Sequence, residues 1–274
     1  MEPQTFPRVN VLGVGIHGIN MQQAVLYLLD AALHRRKGYV CVTGVHGIME
    51  AQRDASFRRT LNNALLTTPD GMPTVWVGKA ESHRMMGRVF GPDLMRELCR
   101  ASVPLGLKHF LYGGAPDVAQ ELKRSLEEKI PGVQVVGTYT PPFRPLNLQE
   151  YAKLTKQVEQ TRPDFFWVGL STPKQERFMA AHLQTLQTTV MLGVGAAFDL
   201  HTGRMKDSPD WVKNSGLQWA HRLLQDPRRL WKRYLINNPK FLAAITAQML
   251  GLREYSLPVS HQPGIGNDSL PHAA

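Results

Sequence analysis

Short apolar runs rich in β-branched residues alternate with longer segments of helical periodicity through about residue 200. This alternation predicts an α/β domain, because parallel strands need helical crossovers between them. We expect a Rossmann-like, largely parallel sheet flanked by helices, followed by a basic helical C-terminal appendage. The predicted strands are residues 9–16, 39–43, 64–67, 109–112, 133–136, 165–170 and 189–194.

Three four-residue segments have the spacing of a capping box, at residues 20–23, 147–150 and 172–175. In this motif two side chains satisfy free N–H groups at a helix start. The third segment also places Pro173 at a first helical position, which proline tolerates. The sequence therefore predicts helices that begin at these three places.

Two neighbouring segments each carry an apolar strand into a turn of small residues, at 168–176 and at 190–199. Such turns let backbone N–H groups close on an anionic ligand. Two of them in succession predict a nucleotide-diphosphate site. Gly113 and Gly114 form a further strand-to-helix turn that permits close approach of backbone to ligand.

The positive charge is concentrated near the C-terminus. Residues 213–253 contain eight basic residues and one acid, Asp226, so they supply +7 of the net +10. Such a patch predicts an anionic partner: nucleic acid, acidic lipid and pyrophosphate substrates are all candidates.

Two helices are predicted in this C-terminal region. Asp226-Pro227 and Asn238-Pro239 each place a capping side chain before a proline, which predicts a helix start, and Gly251 predicts the end of the second helix. In the first helix one face is basic and the opposite face apolar: Arg228, Arg229, Lys232 and Arg233 against Leu230, Trp231, Tyr234 and Leu235.

The chain contains 43% hydrophobic residues and no long apolar run, which is typical of a globular protein. We therefore expect a cytoplasmic protein without a membrane span. Cys41 and Cys99 lack metal-ligand spacing, so we expect reduced core residues. The expected domains are residues 1–205 (catalytic), 206–253 (appendage) and 254–274, a tail of disordered composition.

Asp70 lies in a turn after an apolar segment, where a carboxylate can face a cleft and act as a general base. The same Asp-Gly pair is also ordinary turn chemistry. Arg88 is a candidate for gripping phosphate, or a solvated surface charge. His46, after a strand, is either structural or a ligand contact. Both alternatives stay open for each residue at this stage.

Taken together, the motifs resemble those of the WecG/TagA/CpsF glycosyltransferases, glycosyltransferase family 26, over about residues 9–242. They occur in the order and at the spacing of that family. The motifs are Asp70-Gly-Met-Pro, Arg88-Val-x-Gly-x-Asp-Leu94, Gly113-Gly114, Val168-Gly-x-x-x-Pro-Lys-Gln-Glu176, Gly193-Val-Gly-x-x-Phe-Asp199, Gly216-Leu-x-Trp219 with Arg222-Leu, and Asp226-Pro-x-Arg-x-x-x-Arg-Tyr234.

The resemblance implies an inverting transferase that moves a hexose-type sugar from a UDP-sugar to a polyprenyl-diphosphate-linked acceptor, in cell-surface or exopolysaccharide synthesis. It implies that Asp70 is the base, and that Thr43, Arg88 and Gln175 line the active site. The basic appendage would bind acceptor and the anionic inner face of the cytoplasmic membrane. The candidate substrate-binding residues are Gly113, Gly114, Lys174, Gly193, Gly195, Asp199 and His46, with Asp199 on the uridine. The candidate membrane and acceptor residues are Arg222, Arg228, Arg229, Lys232 and Arg233.

Three positions depart from the family pattern, so the sugar is not copied from a relative. Val45 stands where asparagine is common, which makes His46 a candidate replacement, and Asp207 and Gln218 stand where arginine and glutamate are frequent. The chain has no Asp-x-Asp motif, so we predict no cofactor and no required metal. Whether the protein forms a homo-oligomer stays open.

Two other classes of protein share some of these features. Glycine-rich turns suggest a nicotinamide-dependent oxidoreductase, but the chain lacks Gly-x-Gly-x-x-Gly with a downstream ribose-binding acid. The basic C-terminus suggests a nucleic-acid-binding protein. Trp231 and Tyr234 are expected opposite the charges, so they favour core packing or lipid insertion over base stacking, and we expect no nucleic-acid partner.

Overall fold

The computed structural model describes residues 5–258, and its fold is the expected α/β class with a Rossmann-like sheet flanked by helices. The strands are β1 (Arg8–Val11), β2 (Val14–His17), β3 (Gly38–Thr43), β4 (Leu66–Pro69), β5 (Lys108–Gly113), β6 (Gln134–Tyr139), β7 (Phe165–Gly169) and β8 (Val190–Gly193). The α-helices are α1 (Met21–Leu33), α2 (Val45–Arg53), α3 (Ala55–Asn62), α4 (Met72–Ala80), α5 (Gly91–Ser102), α6 (Val118–Lys129), α7 (Leu148–Thr161), α8 (Lys174–His182), α9 (Ala197–His201), α10 (Asp210–Asn214), α11 (Gln218–Gln225), α12 (Pro227–Trp231) and α13 (Asn237–Met249). A 3₁₀ turn spans Val103–Leu105, and a π-helical turn spans Lys232–Ile236.

Strands β3 to β8 form one parallel sheet in the order β4-β3-β8-β7-β5-β6. Both faces are covered, as parallel sheets require, so successive side chains enter two different cores. In β7, for example, Phe165 and Trp167 enter the core beneath α1, α5 and α6. Phe166 and Val168 enter the core that contains parts of α2, α3, α7 and α13. Because the six strands are parallel, all their carboxyl ends meet at one edge of the sheet.

The predicted single strand at 9–16 is wrong, because the chain turns back on itself within it. Strands β1 and β2 pair antiparallel in a separate two-stranded sheet, with Val11 opposite Val14. Leu12 and Gly13 adopt φ of 53° and 79°. These left-handed conformations suit a tight two-residue hairpin turn.

Two of the three predicted capping boxes are confirmed. Asn20 and Asn147 each accept from the backbone of the third helical residue, and the reciprocal side-chain bond is present. The box at 172–175 is wrong: Pro173 is the cap residue and makes no side-chain cap bond. Thr172 Oγ1 instead donates to Glu176 Oε1, 2.8 Å away, rather than accepting from a backbone N–H at the helix start.

The C-terminal helices begin as predicted at Pro227, but not at Pro239. Helix α12, the π-helical turn and α13 follow one another without a break. Pro239 lies in the first turn of α13, where its missing N–H is tolerated, and the π-helical turn ends directly before that helix. Gly251 follows the end of α13 with φ of 69°, and so confirms the predicted stop.

Helix α13 is packed into the same core as the sheet. Phe241 and Ile245 are buried beside residues of α2. Farther along, the Gln248 side chain holds the N-terminal hairpin: Oε1 accepts from Leu12 N at 2.8 Å and Nε2 donates to Asn10 O at 2.6 Å. The C-terminal segment is thus tied to the chain's first strands.

The remaining expectations concern cysteines, membrane spans and the tail. Cys41 and Cys99 are buried and unpaired, as expected. Within residues 5–258, no helix is both long and apolar enough to cross a membrane. Of the tail predicted at 254–274, residues 254–258 are described and lie outside helices and strands, with Tyr255 O accepting from Asn10 Nδ2; the residues after 258 lie outside the described part.

Candidate active site

A cleft of about 880 Å³ lies at the carboxyl edge of the sheet, where ligands bind in open α/β folds. Residues at and after the strand ends line it, together with Met205, Arg222, Leu230 and Arg233 from the C-terminal segment. One end is bounded by the proline-rich segment 141–148. The sequence-predicted residues that line this cleft are Asp70, Gly114, Lys174, Gln175, Gly193, Gly195, Asp199, Arg222 and Arg233.

Asp70 directly follows β4 and is fixed through its backbone. Its N–H donates to Thr43 O at 3.1 Å, which ties the end of β4 to that of β3. Thr43 itself does not line the cleft, and its hydroxyl donates to Cys41 O at 3.3 Å. Asp70 faces the cleft, yet its Oδ1 is buried and has no hydrogen-bond partner within the described part of the chain.

Burial raises the pKa of Asp70 to about 6. Removal from water disfavours the charged carboxylate, while three cations, Arg88, Arg222 and Arg233, act in the opposite direction. A carboxyl group with a pKa near 6 is mostly ionised at neutral pH and can still bind a proton strongly. This combination suits a general base.

Arg88 is held behind the cleft wall rather than in it. Its guanidinium lies over the Phe90 ring, 4.2 Å from the centroid, and donates to Gln218 Oε1 at 2.7 Å. Gln218 begins α11, so this bond links the sheet domain to the C-terminal segment. Arg88 therefore lies close enough to act electrostatically on Asp70 while its own side chain bridges two parts of the chain.

Glycines bring the backbone close at the strand ends. A Cβ at Gly113 would stand 2.6 Å from Gly169 O, and one at Gly193 would stand 3.0 Å from Gln175 Nε2. Gly113 does not line the cleft, but Gly114 beside it does. The Gly113 position therefore admits no side chain, whereas Gly193 leaves room for the Gln175 amide.

His46 lies in an adjoining pocket of about 470 Å³, together with Lys232. Arg233 borders both this pocket and the main cleft. The His46 pKa is lowered to about 4, first by burial and then by Arg233, so the imidazole is neutral at pH 7. Asn237 Nδ2 lies 3.4 Å from its Nδ1.

The predicted basic and apolar faces of 228–235 are not separated as expected. Arg233 turns into the cleft wall beside buried Leu230, whereas Trp231 and Leu235 are exposed. The π-helical turn shifts residues after 231 around the axis, which an α-helical wheel does not include. Arg228 lies exposed on α12, and the side chain of Arg229 is outside the described part.

Several cleft residues were not predicted from the sequence, among them Phe90, Ser171 and the segment 141–148. The proline content of that segment, directly after a strand, was a usable signal for a loop at the sheet edge. Phe90 and Ser171 carried no such signal. No group of three or more His, Cys, Asp or Glu side chains that could hold a metal occurs within residues 5–258.

A parallel α/β domain with a cationic cleft at its carboxyl edge is typical of proteins that bind phosphorylated ligands. The sequence profile of the Glycosyl transferase WecG/TagA/CpsF family matches residues 9–255, and the chain belongs to this family. The resemblance inferred from the motifs is thereby confirmed. Membership in a glycosyltransferase family argues against both the oxidoreductase and the nucleic-acid-binding alternatives.

Two curated relatives are both named N-acetylglucosaminyldiphosphoundecaprenol N-acetyl-beta-D-mannosaminyltransferase. The protein from Bacillus subtilis (strain 168) is 27% identical over 195 residues, which cover 71% of this chain and 73% of the relative. The one from Bacillus spizizenii (strain ATCC 23059 / NRRL B-14472 / W23) is 28% identical over 222 residues, 81% and 84% of the two chains.

Proposed function

We propose that this glycosyltransferase transfers a hexose-type sugar from a UDP-sugar to a polyprenyl-diphosphate-linked acceptor in cell-surface polysaccharide synthesis. Asp70 is the general base, and the anomeric configuration inverts. The observation that carries the proposal is the cleft-facing Asp70, with a raised pKa and three arginines acting on it. Both relatives are named for an acceptor that is a sugar linked to undecaprenol through a diphosphate.

The proposed reaction is a single displacement. Asp70 takes the proton from an acceptor hydroxyl, and the acceptor oxygen bonds to the anomeric carbon as the bond from that carbon to the UDP oxygen breaks. UDP leaves with the electron pair. No glycosyl-enzyme intermediate forms, so one base is sufficient and the configuration inverts, by the same logic as inverting glycosidases.

The leaving diphosphate develops negative charge, which the cleft is suited to stabilise. Arg222 and Arg233 both line it. Arg222 has only a weak neighbour for its guanidinium, Met205 Sδ at 3.8 Å, and its Nε is buried without a partner within the described chain. Pre-positioned cations in a water-poor cleft stabilise developing charge strongly. Asp199, also on the cleft wall, is our candidate contact to uridine.

The C-terminal segment is proposed to rest on the cytoplasmic face of the membrane. It exposes large apolar side chains that a water-facing surface does not require: Trp211, Leu224, Trp231, Leu235, Leu242 and Leu250. Exposed Arg228 and Lys232 lie close by in sequence. Apolar insertion combined with attraction to anionic lipid gives reversible peripheral binding.

The test is to incubate the protein with separate UDP-sugars and a short lipid-diphosphate-linked N-acetylglucosamine. UDP-glucose, UDP-N-acetylmannosamine and the corresponding uronic acid are the first donors to compare. Product mass and anomeric configuration identify the sugar and the stereochemistry. Transfer with retention, or no transfer with any UDP-sugar, would contradict the proposal.

Asp70→Asn tests the base in the same assay. We expect a rate loss of about 10²-fold or more, with UDP affinity unchanged, because the amide cannot accept the proton. Asp30→Asn, at a half-buried ion pair with Arg36 remote from the cleft lining, is the matched control. An unchanged rate for Asp70→Asn would remove this residue from the role of base.

A further inference from the structure

Glu176 is a carboxylate buried in the first turn of α8, with only 1% of its surface exposed. Its Oε1 accepts two hydrogen bonds, from Thr172 Oγ1 at 2.8 Å and from Gln175 Nε2 at 3.1 Å. Burial raises its pKa, and these two bonds together with Arg233 oppose the rise. Nothing in the proposed reaction uses Glu176, although it adjoins the cleft.

Gln175 is held at two points and unsatisfied at a third. Its backbone N–H donates to Ser171 O at 3.0 Å, and its side-chain nitrogen is engaged by Glu176. Its Oε1 is buried in the cleft wall without a hydrogen-bond partner in the described chain. A Cβ at Gly195 would stand 3.4 Å from that oxygen. The amide therefore lies against the end of β8. In the sheet β8 is next to β3, whose last residue, Thr43, accepts from the backbone N–H of Asp70.

The arrangement of the amide is determined by the carboxylate. Oε1 of Glu176 accepts from both Thr172 Oγ1 and Gln175 Nε2, so the NH₂ group of Gln175 faces Glu176 and its carbonyl faces the cleft. A flipped amide would place two acceptors against each other. A carbonyl oxygen cannot bond to a phosphate oxygen, which is itself an acceptor. It requires a donor, such as a hydroxyl or an acylamino N–H.

We propose that Glu176 is a positioning residue that fixes the Gln175 carbonyl to recognise a hydrogen-bond donor on the transferred sugar of the UDP-sugar. This inference rests on the proposed function and specifies one contact within it. The contact excludes the diphosphate, which offers no donor; a donor on the ribose or uracil would instead make UDP and UDP-sugar lose affinity equally. An unpaired buried acceptor costs free energy until a hydrogen-bond donor pairs with it. The site therefore favours binding of the UDP-sugar over binding of UDP alone.

The experiment compares Kd for UDP and for the best UDP-sugar, measured by calorimetry, in wild type and Glu176→Gln. The new amide can donate as well as accept, so it no longer fixes the orientation of Gln175. We expect UDP-sugar binding to weaken about 10-fold while UDP binding stays unchanged, the scale of one lost buried hydrogen bond. In a Gln175→Leu background, Glu176→Gln should add nothing, because the group that it positions is absent.

Thr172→Val is the matched control, because it removes the other donor to Glu176 Oε1 and leaves the contact to Gln175. It should keep the ratio of the two affinities. Equal weakening of UDP and UDP-sugar by Glu176→Gln would overturn the positioning role and leave the proposed function standing. If Glu176→Gln does not fold, Gln175→Leu alone must show the selective loss, and its absence would overturn the inference. A wild-type protein that binds no UDP-sugar would defeat the proposed function itself.

Discussion

Replacing Asp70 with asparagine should stabilise the folded protein at neutral pH at the same time as it removes activity. The folded pKa of about 6 lies above the ordinary value of 3.8, so the folded state holds an ionised carboxylate less favourably than the unfolded chain does. At about 1.36 kcal/mol for each pKa unit, the penalty at pH 7 and above approaches about 3 kcal/mol. Asparagine carries no charge and avoids it.

The sign of the pH dependence follows from proton binding. Between about pH 4 and pH 6 the folded wild type binds more protons than the unfolded chain, so this group's contribution to stability falls as pH rises through that window. Below about pH 4 both states are protonated and the penalty vanishes. The stability difference between Asp70→Asn and wild type should therefore be small near pH 4 and should reach its full value above pH 6.

Thermal unfolding of the two proteins at several pH values measures this difference, and titrations of all other groups cancel in it. About 3 kcal/mol corresponds to a rise in Tm of roughly 6–12 °C for a domain of this size. Asp30→Asn, at the half-buried ion pair with Arg36, should not show the same rise in Tm. A variant less stable than wild type at pH 7.5, or a difference that does not vary with pH, would refute the claim that burial raises this pKa.

Three further predictions concern rate, membrane binding and the strand ends. The kcat/KM profile should lose about tenfold between its plateau and pH 5, because a base with a pKa of about 6 is then about 9% ionised, and a profile flat to pH 5 would contradict this. Leu235→Ser should weaken sedimentation with anionic vesicles, whereas Leu26→Ser, a comparably exposed leucine on α1, should not, and equal effects would exclude a localised membrane face. Gly113→Ala should lower Tm by several degrees, because its φ of +126° and the Gly169 carbonyl leave no room for Cβ, so an unchanged Tm would argue against that close approach.

Much of the sheet was predictable because its signal is local. Each central strand is a continuous apolar run followed by small or polar turn residues, and each of the two confirmed capping boxes is complete within four residues. The N-terminal hairpin was missed because Leu12, a residue that rarely adopts positive φ, takes one of its two turn positions. Gly13 and Asn10, whose Oδ1 accepts from Gly13 N at 2.9 Å, were the local signals of that turn.

The site was predictable in part, for a different reason. The glycine turns and Asp70 follow strands, and parallel topology brings strand ends to one edge. The place of Arg233 in the cleft wall depends on a π-helical turn and on packing between segments far apart in sequence. Neither can be inferred from helical periodicity within residues 227–237.

The hydrogen bonds between Gln248 and the first hairpin can form only after nearly the whole chain has been synthesised. They join residues 236 and 238 positions apart, and at roughly 5–20 residues per second the ribosome needs roughly 10–50 s to make the intervening chain. During that interval the strand ends around Asp70 are already synthesised, but the contacts between α13 and the first hairpin are not. The cleft wall that carries Arg222 and Arg233 can therefore be held by these bonds only after α13 has been synthesised.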